Sequence, residues 1–207
     1  MSPVAVDIPI HRDHARPAVR VVDDGRGTFG MVLFITTEAT LFLMLFVAYY
    51  YTHTSGRWEH EQPPKLHYAI VMLIVLLTSS GVLHWGEKKV KQARRAAGRF
   101  ALLGTILLGL GFLVLTFFEF RETLQHVTPT TDAYGSTFFT LVSLHAAHVV
   151  VGLSMLIWVL ILPQWEPTRE TPHRPYHNAA MYWHFVDTVW VFLVALLYIV
   201  PNIYNAV

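Results

Sequence analysis

The sequence predicts an all-α integral membrane bundle of five transmembrane helices, and three observations carry that prediction. Charged residues make up 14 % of the 207 residues and apolar ones 54 %, whereas a soluble domain carries about 25 % charge. Five apolar runs each reach the roughly 20 residues that a helix needs to cross the hydrocarbon core. The runs are continuous and lack the alternation of barrel strands, so helices are the spanning element. The mean hydropathy of +0.43 agrees. Cysteine is absent, which excludes disulfides, thiolate metal sites and cysteine nucleophiles. A net charge of +1 gives no overall attraction to nucleic acid.

In chain order, residues 1–28 read as a solvated cytoplasmic tail. They hold Arg12, Arg16, Arg20 and Arg26 among prolines and aspartates, and no apolar run follows within the usual length of a signal peptide. Residues 29–203 form the membrane domain, and 204–207 are a short C-terminal end. The first helix is expected at 29–52 and stops before a 53–64 segment with Gly56, Pro63 and Pro64. The second, at 66–87, meets a charge run that ends at Arg99. The third, at 98–122, precedes Pro129. The fourth, at 135–162, is closed by a segment holding Pro163, Pro167, Pro172 and Pro175. The fifth spans 176–203. Trp58, Trp85, Trp165 and Tyr204 fall near span ends, where amphipathic rings suit the headgroup layer. Gly104, Gly109 and Gly111 in the third span would allow close packing, although none has GxxxG spacing.

Basic residues set the expected orientation. Of the 15 lysines and arginines, twelve fall in the tail, after the second span (Lys88, Lys89, Lys91, Arg94, Arg95, Arg99) and after the fourth (Arg169, Arg174). Only Arg57, Lys65 and Arg121 fall on the other side. The N-terminus is therefore expected in the cytoplasm and the C-terminus outside.

A few ionisable groups interrupt the apolar spans, and such groups turn toward protein or water. Glu38 lies nine residues beyond Phe29, about 14 Å in at 1.5 Å per residue and so close to the midplane. His148 and Asp187 fall at similar depth in the fourth and fifth spans, so three helices place a polar group at one level. His145 and His148 are spaced i, i+3, as are His184 and Asp187, and each pair is expected to share a helix face. Glu119 sits near the outer end of the third span and His84 near the inner end of the second.

These groups have four possible uses. Haem ligation by His148 and His184 lacks the usual second histidine pair. A metal site from Glu38, His145, His148 and Asp187 has suitable ligand types, but the repeated Glu-x-x-His pattern of di-iron bundles is missing. A proton or ion path would use the midplane carboxylate, without the broken helices or repeats of transporters. The reading preferred here is that Glu119, His145, His148, His184 and Asp187 pack and hydrogen-bond between helices, with no metal and no catalytic residue. Glu38 is the least settled, because a carboxyl in hydrocarbon must either keep its proton or find a cation. No nucleophile–base pattern, phosphate loop or nucleotide fingerprint is present.

Four stretches resemble a known family. They are Gly30-Met-Val-Leu-Phe-Ile-Thr-Thr-Glu38, Tyr134-Gly-Ser-Thr-Phe-Phe139 followed by Leu144-His-Ala-Ala-His-Val149, Tyr182-Trp-His-Phe-Val-Asp-Thr-Val-Trp190, and the weaker Phe118-Glu-Phe120. In order and spacing they resemble subunit III of haem–copper terminal oxidases, the cytochrome c oxidase kind, over about residues 29–203. The resemblance implies a non-redox accessory subunit that stabilises subunit I, supports proton uptake and holds phospholipid. It implies contacts with subunit I, subunit II and other respiratory-complex subunits, with haems and copper in those partners and no cofactor here. Glu38 takes the position of the family's carbodiimide-reactive carboxylate, once proposed as a proton-pump residue. Many relatives have seven helices; this chain resembles a short form that begins at the third, so the lipid cleft of the longer forms would need helices from subunit I. Quinol oxidases have five-helix relatives too, and Glu38 rather than aspartate leans toward the cytochrome c type. The expected location is a bacterial inner membrane. The alternative of another class is a stand-alone b-type membrane cytochrome or ion carrier.

Overall fold

A computed structural model describes residues 26–54, 66–125, 133–162, 165 and 173–199. Five helices fill it: α1 (Arg26–Thr54), α2 (Leu66–Lys91), α3 (Arg95–Thr123), α4 (Ala133–Ile161) and α5 (His173–Val194), the last running into a π-helical turn at Ala195–Ile199. All five are long and apolar enough to cross a membrane, so the chain is a multi-pass membrane protein. The tail before Arg26, Trp58, most of the 53–64 break, Tyr204 and residues 200–203 lie outside the described residues.

The helix ends overrun the expected bounds. The tail was expected to reach residue 28, but Arg26 already opens α1. The charge run after Glu87 was expected to break the chain, yet Lys88, Lys89 and Lys91 form the last turn of α2. Cations at a helix C-terminus complement its dipole, and long stems keep the ammonium groups in water. The break is confined to residues 92–94. There the Arg94 amide donates to the Lys89 carbonyl at 2.9 Å and the Ala93 amide to the Val90 carbonyl at 2.9 Å, the paired bonds of a Schellman ending. Ala93 takes the left-handed position with φ 57°.

α5 is the centre of the bundle. It packs on α1, α2 and α4, while α3 packs on α2 and α4. Its Trp183 and Trp190 are fully buried, together with Tyr176, Tyr182 and Tyr198. Trp183 enters a slot between α3 and α4 made by two missing side chains. A Cβ on Gly109 would stand 2.6 Å from Trp183 Cη2, and one on Gly152 would stand 2.9 Å from its Cε3. The indole Nε1 then donates to Ser79 Oγ on α2 at 3.0 Å, so one side chain locks four helices. The other glycines expected to bring helices close do less: Gly104 faces Val82 at ordinary contact distance and Gly111 faces open space. Outward, Phe29, Phe100, Leu107 and Ile161 are exposed, as residues in contact with acyl chains must be.

Candidate functional site: a proton-holding pair between two helices

Glu38 on α1 and His148 on α4 meet as their depths predicted. His148 Nε2 lies 2.9 Å from Glu38 Oε2. His148 Nδ1 lies 2.7 Å from the Leu144 carbonyl. A carbonyl only accepts, so Nδ1 carries hydrogen and donates. Nε2 and the carboxyl then hold one further proton between them, either as a neutral acid facing a neutral imidazole or as an ion pair. Phe42 lies against the imidazole edge at 4.9 Å between centroids. The pair is nearly enclosed, with side-chain exposures of 21 % for Glu38 and 11 % for His148.

The third group expected at this level, Asp187, does not join. It is buried and turned toward Ser80 of α2, its polar partner. His184 faces the same helix, where its Nδ1 hydrogen-bonds Ser80 Oγ, so His184 and Asp187 share a face as expected. His145 and His148 lie on one broad face but meet different neighbours. His145 points into the core, stacked on Trp190 at 5.0 Å and edge-on to Phe112 at 5.7 Å. Both of its ring nitrogens lack a hydrogen bond. A separation of three residues turns a helix by 300°, and a 60° offset suffices to send the two rings to different neighbours. His145 thus packs without a hydrogen bond, while Asp187 has the Ser80 hydroxyl as its polar partner.

The remaining predicted group, Glu119, is buried and accepts from Tyr198 Oη at 2.7 Å. The π-helical turn carries that tyrosine, so the C-terminal ends of α3 and α5 are joined. His148 gives its nitrogens to α1 and its own helix, while His184 turns to α2, so the two imidazoles considered for haem are committed to different helices. Among the described residues no three His, Asp or Glu side chains gather into a cluster. His145, the next imidazole beyond the Glu38–His148 pair, makes no hydrogen bond.

Sequence reading missed the tie between the C-terminal end of α2 and the start of α5. Glu87 bonds Lys91 at 2.7 Å and His177 Nδ1 of α5 at 2.9 Å. The i, i+4 spacing of Glu87 and Lys91 is visible in the sequence, but His177 is ninety residues away. Thr28 Oγ1 also donates to Asn178 Oδ1 at 3.2 Å, joining the starts of α1 and α5. Trp165, expected as an anchor in the headgroup layer, is instead 6 % exposed, and its Nε1 donates to the Val159 carbonyl at 2.8 Å.

Comparison with known proteins bears on these same residues. The family model described as cytochrome c oxidase subunit III matches residues 10–201. Cytochrome c oxidase subunit 3 of Latimeria chalumnae is 35 % identical over 179 residues, covering 82 % of this chain and 68 % of that relative. The subunit 3 of Mammuthus primigenius is 34 % identical over 187 residues, covering 86 % and 70 %.

Proposed function

Because this chain belongs to the cytochrome c oxidase subunit III family, we propose that it is a non-redox scaffold subunit of a haem–copper terminal oxidase in aerobic respiration. Haems and copper sit in its partners; this chain stabilises subunit I, supports proton uptake and holds lipid. The observation that carries the reading is how its motifs are used. The Gly30–Glu38 stretch of α1, the His145–His148 stretch of α4 and the Tyr182–Trp190 stretch of α5 pack on one another, with Glu38 on His148 and Phe34 stacked on Tyr182 at 5.7 Å. Glu38, His148 and His184 find hydrogen-bond partners inside this chain, as a scaffold requires. A single proton held between Glu38 and His148 lets α1 and α4 meet in lipid without an unpaired charge.

The membrane is a bacterial inner membrane, with the N-terminus cytoplasmic and the C-terminus outside. Twelve of the 15 basic residues on one side support that orientation. The partners are subunit I first, then subunit II.

The test is purification of the tagged full chain in mild detergent, with visible spectroscopy and identification of what comes with it. A haem-bearing larger subunit is expected in the preparation. A chain that purifies without such a partner, or that holds stoichiometric haem by itself, would overturn the reading. A reporter fused after Val207 checks orientation, and a cytoplasmic signal would reverse it.

A further inference from the structure

A file of polar groups enters the seam between α2 and α5 and reaches a buried carboxyl. We propose that this file is a proton inlet, through which Asp187 exchanges a proton with water at the end of the bundle where α2 stops and α5 starts. His84 is its mouth, and His184 and Ser80 carry the proton between. The inlet goes beyond the scaffold reading, because it belongs to this chain and needs no partner subunit.

Three observations carry it. First, exposure falls as depth rises. Counted from Lys91, where α2 ends, and His173, where α5 starts, His84 lies about 10 Å in, Ser80 and His184 about 16 Å and Asp187 about 21 Å, at 1.5 Å per residue. His84 is exposed, Ser80 and His184 are half-buried, and Asp187 is buried. Second, the groups are within reach of one another. The His84 and His184 rings stand 6.4 Å apart, centroid to centroid, a gap that one solvent molecule spans in proton transfer. His184 Nδ1 hydrogen-bonds Ser80 Oγ, and Asp187 turns to the same hydroxyl.

Third, the link is a hydroxyl shared by two titratable groups. Thr78 and Ser79 give theirs to carbonyls of their own helix, those of Ile74 and Leu76. Ser80 faces His184 and Asp187 instead. A hydroxyl both donates and accepts, so Ser80 can receive a proton from His184 as it gives its own to Asp187. One proton enters at His184 Nε2, the Nδ1 proton passes to Ser80 Oγ, and the Ser80 proton passes to an Asp187 carboxylate oxygen. The imidazole stays neutral, with its hydrogen moved from Nδ1 to Nε2, and the reverse sequence empties the file. The Glu38–His148 pair is not built this way, because His148 Nδ1 is spent on the Leu144 carbonyl.

The titratable groups around the file are placed as follows. On α2, His84 and Glu87 act on His184 through space, and Glu87 is engaged by Lys91 and His177. On α1 and α4, Glu38 and His148 bond each other, and His145 stacks on Trp190. On the π-helical turn, Tyr198 donates to Glu119.

The experiment is isotope-edited infrared spectroscopy of the full chain in mild detergent, with aspartate carrying carbon-13 at its carboxyl carbon. The sample is mixed into acidic heavy water, and the rise of the deuterated carboxylic acid band is timed. Asp187→Asn identifies the band of Asp187. In the wild type that band is expected to rise well ahead of deuteration of the core amides. Ser80→Ala and His184→Phe should each slow it about hundredfold and His84→Leu about tenfold, as loss of positioned proton carriers does. Ser80→Thr, which keeps the hydroxyl, should stay close to the wild type, and Thr78→Ala should change nothing.

A wild-type Asp187 that exchanges only together with the core amides would overturn the proposal, since its proton would then need unfolding. So would an unchanged rate in folded Ser80→Ala and His184→Phe, or an equal slowing by Glu38→Gln, which would put the entry on α1. Should His184→Phe fail to fold, the contrast between Ser80→Ala and Ser80→Thr decides. If the rate ignores these variants while the chain still copurifies with a haem-bearing partner, the inlet falls and the scaffold reading stands.

Discussion

α1 and the α2–α3–α5 assembly are held by different means. In the assembly, Trp183 of α5 fills a slot between Gly109 and Gly152 and reaches Ser79 of α2. α1 packs mainly along α4 and α5, and among its described residues Phe42 and Tyr49 are the buried ones. Its attachments include ring contacts, the Thr28–Asn178 bond and the Glu38–His148 pair. Lipid tails are as apolar as leucine, so no hydrophobic force drives helices together within the bilayer. Shape and hydrogen bonds must do so. The assembly uses shape, and α1 depends on polar contacts for a larger share of its hold.

The contrast can be broken at its strongest point first. Trp183→Ala should cost about 3–5 kcal/mol, the usual loss for a large core aromatic, measured by denaturant titration of the full chain in mixed micelles. A loss under 1 kcal/mol would show that the slot is not what holds the assembly. Gly109→Ala should cost about 1–3 kcal/mol by overpacking against Trp183 and Leu153. Gly111→Ala, with open space around it, should cost nothing measurable, and equal costs at the two positions would refute the close-approach argument.

Glu38→Leu tests the other side. It should cost about 0.6–1.7 kcal/mol, the range for interhelical hydrogen bonds in membranes. Hydrogen exchange should rise along α1 and not along α2 or α3. A double-mutant cycle with His148→Leu should return a coupling in the same range, and zero coupling would mean that the two groups are neighbours without interaction. The smallest effect is expected at the α2–α3 turn. Ala93→Gly should gain about 1 kcal/mol, because glycine takes a positive φ without the clash that a Cβ brings. A loss on that substitution would show that the turn is not left-handed in the membrane.

Depth along a helix was legible before any coordinates. Counting residues from span ends placed Glu38 and His148 at one level, and they do meet. The same counting placed Asp187 with them, and that failed. Depth is a property of one helix, whereas the direction a side chain points depends on how that helix is rotated against its neighbours. His145 shows the same thing more sharply. It was assigned the face of His148 from i, i+3 spacing, but a bundle this tight divides one broad face between α1 and the core. The Glu87–His177 tie and the identity of Glu119's partner, Tyr198, were not legible because the partners are distant in sequence.

The number of spans, their depth-wise placement of polar groups and the family motifs were all written in the chain, because hydropathy and residue counting are local and additive along one axis. Which polar groups bond and which only pack came from the three-dimensional arrangement alone. It turns α5 so that Trp183 finds the two glycines, and that rotation aims Asp187 at Ser80 and away from Glu38. Side-chain volume in a close-packed bundle is a constraint that all five helices must satisfy together, and no single stretch of sequence contains it.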